Sequence, residues 1–368
     1  MFLLSEMVFS ETNPIYVNQE GQVGFGVEEG EVIPEGVDTL LKGTTKIGGD
    51  FLLPVLSKAP ENPVDGMVFI HTSGEMRYFV GGSWFRMSKD VVAANLQVES
   101  GVISCSTDFQ SIALTKSFMS PIIITTPVST IANAPIVVRL DQVSGSGFDI
   151  KLQRIDGSVE PLAAPLTVHY IVIEEGVYNL DEHGVKLEAR KVDSTVTDKS
   201  NSWVGEVMNY EQTYSSPVVL GQVMTYNNSE FSQFWCRGSS FGSPPTASAL
   251  SVGKHTFAAT QTLLPETLGV LIIEAGSGEM DGQSFHTGVG ADIVLGTQNN
   301  GDYNYDMPFS ASVGVVSQVA MDGGDGGIAT FKENPVAQST LKILVDECTI
   351  TDTERAHTSE QVSFLILE

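Results

Sequence analysis

The sequence is poor in basic residues. Against 45 aspartates and glutamates stand only 19 lysines and arginines, a formal charge of −26. A field of that sign repels phosphate backbones, which argues against nucleic acid as a partner. Cysteine is scarce as well. Cys105, Cys236 and Cys348 are odd in number and far apart, with no CxxC pair. That usage offers no disulfide framework and fits synthesis in a reducing cytoplasm. No apolar run approaches the roughly 20 residues of a membrane helix. The opening MFLLSEMVFSE also lacks the basic region of a signal peptide. No membrane partner is expected.

Catalytic and metal-binding patterns are missing too. His71, His169, His183, His255, His286 and His357 stand singly, without HxH or HxxxH spacing. There is no GxSxG, no Walker loop and no Cys–His pattern at recognisable spacing. The expectation is that the protein is not an enzyme. No long segment has a 3.6-residue period either, which excludes a helical bundle.

What is present is β-structure, repeated. The 36 glycines and abundant valine, isoleucine, threonine and serine favour short strands joined by tight turns. Three segments open on a serine or proline turn and close on an apolar run ending in glutamate. SFMSPIIITTPV, with Pro121, opens the first, and TVHYIVIEEG closes it at Glu174. TYSSPVVLGQVM, with Pro217, opens the second, and ETLGVLIIEAG closes it at Glu274. PFSASVGVVSQVAM opens the third, which ends in QVSFLILE at Glu368. About 55 residues separate each opening from its closing glutamate, room for five or six strands. The fold class expected is all-β: three tandem antiparallel β-sandwiches spanning residues 96–176, 177–276 and 277–368. Period-2 alternation makes Ile171, Ile173, Leu271, Ile273, Phe364 and Ile366 the inward residues of equivalent closing strands. The residues between them, Val172, Ile272, Leu365 and Leu367, are apolar as well. Their second face is therefore expected to be covered by a neighbouring module or chain.

Residues 1–95 do not repeat. ETNPIYVNQEGQVGFGVEEGEVIPEG reads as an extended docking arm within residues 1–50. Residues 51–95 hold a compact hairpin pattern, with strands over Met67–His71 and Met76–Val80 around a Ser73–Gly74 turn.

Two places invite a ligand. MDGGDGG could bind calcium through Asp322 and Asp325, with Asp346, Glu347, Asp352 and Glu354 as further carboxylates if the loop folds back. The commoner reading is a glycine-rich turn with solvating aspartates. FWCRG and VGKH place Trp235, Arg237 and His255 together, and an exposed indole beside an arginine suits a glycan. A strand tryptophan is more often core.

The phrases FMSPIIIT, RLDQVSGSGFDIKLQ and LTVHYIVIEEG, between Phe118 and Gly176, resemble the H-type lectin domain of snail agglutinins and discoidins. That resemblance implies a six-stranded sandwich, association of three chains into a homotrimer, and sugar bound between chains. The family's sugar-binding arginine falls on Pro135, and its Trp-His pair on Ile155 and Asp156, so the fold carries over and the sugar site does not. Residues 175–368 resemble tandem modules of large bacterial surface proteins, through SWVGEVMNYEQTYSSPVVLGQVM, ETLGVLIIEAGSG and ERAHTSEQVSFLILE. The pattern PVDGMVFIHTSGEMRYFVGGSW resembles hairpin modules of bacteriophage tail-fibre and collar proteins. Together these imply a virion fibre or spike subunit on the virion surface. Its N-terminal arm would dock on capsid or tail proteins, and its outer modules would bind host surface glycans. A capsid or tail decoration protein and a bacterial lectin-like adhesin are the alternatives.

Overall fold

The computed structural model describes residues 96–257, 262–299, 303–321, 323–324, 326–350 and 353–368, preceded by residues 60 and 67 and seven short strands. The chain divides into Met1–Val91 and Val92–Glu368. The first unit holds β1 (Ile15–Val17), β2 (Val23–Phe25) and β3 (Thr39–Leu41) in one sheet. The second sheet orders β4 (Val55–Leu56), β5 (Val68–His71), β6 (Met76–Val80) and β7 (Ser83–Met87) side by side. The expected hairpin is the β5–β6 pair. The rest of the expected docking arm lies outside the described residues.

In the second unit, β8 (Val98–Cys105), β9 (Gln110–Ala113), β10 (Pro121–Pro127), β11 (Ile136–Ser144), β12 (Gly147–Arg154) and β13 (Leu166–Glu174) form two sheets, β10-β13-β8 and β11-β12-β9. The next set runs through β14 (Gly176–Tyr178), helix α1 (Leu180–His183), β15 (Leu187–Ser194), β16 (Thr197–Asp198), β17 (Glu206–Asn209), β18 (Pro217–Val223), β19 (Gln233–Arg237), β20 (Ala249–His255) and β21 (Glu266–Glu274). Its first sheet is β14-β15-β21-β18, and β20 centres the second. The last set comprises β22 (Gly276–Met280), β23 (Gln283–Val289), β24 (Tyr303–Asp306), β25 (Val313–Gln318), β26 (Ile328–Phe331), β27 (Thr340–Asp346) and β28 (Val362–Leu367), in sheets β22-β23-β28-β25 and β24-β27-β26. Among the described residues, no helix is long and apolar enough to cross a membrane. The protein is all-β, as expected.

Two of the three glutamates that end the closing strands, Glu174 and Glu274, have a local job. Each opening strand enters from a turn whose backbone N–H groups need acceptors. The Glu174 carboxylate accepts from the N–H groups of Met119 (2.7 Å) and Ser120 (2.6 Å). Glu274 repeats this with Ser215 (2.9 Å) and Ser216 (2.6 Å). Glu99 takes the N–H groups of Thr115 and Lys116, and Glu188 those of Glu211 and Gln212. All but Glu274 of these carboxylates are buried. Part of the acidic excess therefore holds turns and is not a solvated surface.

The opening strands β10, β18 and β25 are edge strands, and an unpaired edge is normally a liability. Here the three edges meet one another. The Val316 N–H donates to Thr126 Oγ1 (2.9 Å), the Gly221 N–H to Ser317 Oγ (3.2 Å), and Thr125 Oγ1 to Gln222 Oε1 (2.6 Å). Counted back from the closing glutamates, Thr126, Gln222 and Ser317 are equivalent positions. The bonds thus run in a cycle through the three modules. A single chain forms the three-way packing that the lectin resemblance places between three chains.

Ile122, Ile124, Val218, Leu220, Val313 and Val315 fill one continuous apolar cluster with Ile171, Ile173, Leu271, Ile273, Leu365 and Leu367. Phe364 and Ile366 belong instead to the sandwich core of the third module. This corrects the expected equivalence. The residue before each closing position is Ile173, Ile273 or Leu367, so Leu365 and Leu367 correspond to Ile171 and Ile173. Phe364 and Ile366 are one residue out of step. The second face is covered, as expected, and sister modules of the same chain cover it.

Candidate functional site

Trp235 and Arg237 alternate along β19 and pair with Gly253 and Ser251, while Gln233 pairs with His255. Period 2 therefore puts Trp235, Arg237 and His255 on one face of the sheet. Two glycines make room for the indole. A Cβ at Gly253 would stand 2.8 Å from Trp235 Nε1, and one at Gly205 2.7 Å from its ring. Trp203 stacks on His255 with centroids 4.1 Å apart and meets Trp235 edge-on at 5.3 Å. The structure thus brings the three predicted residues together, but Trp235 is 1% exposed and His255 2%. Burial pushes the His255 pKa down to about 3. Its neutral Nδ1 accepts the Phe257 N–H at 3.0 Å. Arg237 donates through Nε (3.1 Å) and Nη2 (2.6 Å) to the Trp203 carbonyl and lies over the exposed ring of Phe241. A sugar could reach Arg237 and Phe241; the indole and imidazole are closed off.

What closes them is the glycine-rich loop of the third module. The Gly324 carbonyl accepts the Asn201 N–H at 2.7 Å. Gly326 sits at φ +78, where a Cβ would stand 2.6 Å from the His255 ring. A Cβ at Gly323 would be 2.2 Å from the His357 ring. These glycines answer close approach, not solvation. Asp322 and Asp325 lie outside the described residues. Among the described residues, no group of three or more histidine, cysteine or acidic side chains is arranged to hold a metal.

Of the carboxylates expected as further calcium ligands, Asp352 lies outside the described residues, Glu354 accepts the Ala356 N–H at 2.9 Å, and Asp346 and Glu347 have other partners. Asp346 takes Arg355 in a two-pronged bond, Nε to Oδ1 at 2.7 Å and Nη2 to Oδ2 at 2.6 Å. Glu347 bonds His357 Nδ1, while Glu360 Oε1 meets Nε2 at 2.9 Å. Burial alone would lower the His357 pKa, but the two carboxylates outweigh it and raise it to about 9.

Two buried arginines tie loops of one module onto another. Arg139, on β11, donates to the Glu230 carbonyl (2.6 Å) and the Asn228 carbonyl (3.1 Å), with Glu266 3.8 Å away. Arg355 donates to the Ile131 carbonyl (3.1 Å) and the Asn133 carbonyl (2.7 Å). Pro135 is buried, and Ile155 lies in an apolar cluster with Val137, Phe231, Phe257, Ile328 and Cys348 from all three modules. Of the positions where the lectin resemblance would place sugar-binding residues, Pro135 and Ile155 are therefore buried, and Asp156 pairs with Arg154. Arg139 carries a sequence signal, a lone charge inside the apolar stretch IVVRL. Arg355, in a polar stretch, carries none.

His169 is fully buried where the first and third modules meet. Its Nδ1 accepts the Gly314 N–H (3.3 Å), and its Nε2 lies 3.2 Å from Asn334 Oδ1. Burial pushes its pKa from 6.5 down to about 4. The folded state holds this ring neutral, so its contribution is complete above 6.5 and is lost as the pH falls toward 4. The full loss is about 3 kcal/mol. Denaturant unfolding between pH 7 and 5 should be steeper in pH for the unaltered protein than for His169→Gln. Identical slopes would show that the ring does not couple folding to protons.

No family model matches the chain, and no solved structure matches it. It is similar to halomucin of Haloquadratum walsbyi (strain DSM 16790 / HBSQ001), at 24% identity over 269 residues. The match covers 71% of this chain and 3% of that protein, so the chain spans only a small fraction of this relative's length.

Proposed function

We propose that the chain is a structural fibre or spike subunit of a bacteriophage virion, not an enzyme. Its N-terminal arm, residues 1–50, attaches it to capsid or tail proteins, and the three-module head projects outward to meet host surface glycans. The observation that carries this reading is the division into two units, the second of which is a head whose three opening-strand edges bond to one another. The fibre-type hairpin and the lectin-type sandwich support it from the sequence side. With three-way packing already made inside one head, association into a homotrimer is assigned to residues 1–91. A head alone should then sediment as a monomer, and the whole chain as a trimer.

Deleting residues 1–50 tests the attachment. The truncated protein should keep its β-rich circular dichroism and fail to decorate particles in electron micrographs of antibody-labelled virions. Decoration by the truncated protein would move attachment to the head. A glycan array separates a receptor-binding spike from a decoration protein that touches only virion components. The match to halomucin, in which similar sequence is 3% of a far longer chain, favours a second reading: a building block of a much larger protein.

A further inference from the structure

The three modules differ at one edge. In the second module a fourth strand, β14, pairs outside β15, with Tyr178 opposite Leu187 and Gly176 opposite Ala189. In the third, β22 does the same outside β23, with Gly278 opposite Phe285 and Gly276 opposite Thr287. Val98 is the equivalent of Leu187 and Phe285, because the three face Ile173, Ile273 and Leu367 of the closing strands. Outside β8, however, the first module has no strand among the described residues.

Side chains occupy the place. The Glu174 N–H reaches the Gln97 carbonyl, so odd-numbered residues of β8 bond inward and Val98, Ser100, Val102 and Ser104 present their backbone groups outward. The Val98 N–H donates to Asp281 Oδ2 at 2.7 Å, and Lys116 Nζ donates to the Val98 carbonyl at 2.8 Å. Lys116 and Asp281 also pair with each other at 2.6 Å. A carboxylate thus replaces the missing strand's carbonyl, and an ammonium replaces its N–H. Asp281 is held there at the tip of the β22–β23 hairpin, at φ 49 beside Gly282 at φ 76. At the other end of the edge, Gln110 Nε2 covers the Ser104 carbonyl at 2.9 Å. Between these caps, the backbone groups of Ser100 and Val102 have no partner among the described residues, and Val102 is exposed.

We infer that the Lys116–Asp281 pair closes a strand position that no described strand fills, and that the strand it excludes is β8 of a second copy of this chain. An antiparallel edge is complementary to itself about a two-fold axis. With the axis at Gly101, Ser100 faces Val102 of the other copy, and Val98 faces Ser104. While the pair is in place, only the short Ser100–Val102 stretch can join, too little for a stable ribbon. Without it, and with the Gln110 and Gln283 side chains turned away from the Ser104 and Val98 carbonyls, the shared ribbon extends back to Val98. Lysines placed on exposed edges serve this purpose generally.

The test is the double variant Lys116→Met/Asp281→Ala, which removes both charges together and leaves neither unpaired. In sedimentation velocity across the micromolar range it should associate to a higher mass than the unaltered protein, with unchanged circular dichroism. Adding Val102→Pro, which removes an outward N–H at a position where an edge tolerates proline, should restore the original mass. A double variant that keeps the original mass overturns the inference. So does one whose association survives Val102→Pro, because the contact would then lie elsewhere. If the double variant is unfolded, amide exchange at Val98 in the single variant Asp281→Asn decides. Asparagine keeps an acceptor, so the amide should stay protected and the mass unchanged; loss of protection there would also overturn the inference. These readouts use purified protein and do not depend on attachment to any particle.

Discussion

A chain carrying Leu365→Asp is expected to lose the fold of its head outright, not to separate into folded pieces. Leu365 is fully buried in the cluster shared by all three modules, together with Ile122, Val218, Leu220 and Val313. Truncation to alanine alone should cost about 3–5 kcal/mol through lost transfer energy and the cavity left behind. A carboxylate at the same place has no cation to meet and adds several kcal/mol of desolvation. The sum reaches the roughly 5–15 kcal/mol that holds an ordinary domain folded. Phe364→Ala, which empties a site in the third module's own core, should cost about 3–5 kcal/mol. The contrast between the two is informative. Chemical denaturation of Leu365→Ala should show one transition moving for all modules, since the cluster belongs to all of them. A folded Leu365→Asp head with altered association would instead mean that another chain covers this face.

The second large effect is expected at Arg355. Its guanidinium satisfies Asp346, with both side chains buried, and also donates to two carbonyls of the first module. Arg355→Ala leaves the Asp346 carboxylate without its cation and the Ile131 and Asn133 carbonyls without a donor. Breaking a buried pair from one side costs about 3–5 kcal/mol. Burial already pushes the Asp346 pKa up, with Arg355 opposing it. Removing the arginine frees that push, so the variant's deficit should shrink as acid protonates Asp346. Thermal unfolding at neutral and mildly acidic pH measures this. The double change Arg355→Met/Asp346→Asn should recover part of the loss, because no lone charge remains. A deficit that is independent of pH would assign the cost to packing.

How much of this was legible beforehand differs from residue to residue. The strand character of PIIITTP, PVVLGQV and VSFLIL follows from local chemistry. β-branched residues fit a pleated surface, and proline enters at a strand's first position. The hairpin around Ser73–Gly74 was legible from its turn residues. The repeated closing glutamates were visible as a pattern, but not their task, because the turn N–H groups they accept lie about 55 residues earlier in the chain.

Trp235, Arg237 and His255 show the limit of such a reading. Alternation along two strands put them on one face, yet whether that face meets water depends on a loop some 70 residues further along, at Gly323–Gly327. The same holds for MDGGDGG, whose glycines look like a flexible turn and are in fact set by the rings of His255 and His357.

By itself, then, the sequence determined the class of the fold and the alternation of each strand. Those depend on periodicity and turn chemistry, which act over a few residues. The tertiary structure alone decided which of two apolar faces meets its own sandwich and which meets a sister module. It also decided that three edges close on one another within one chain, and that two arginines are buried to hold loops. Those outcomes depend on side chains 90 to 225 residues apart meeting in space. Local propensity carries no record of such distances.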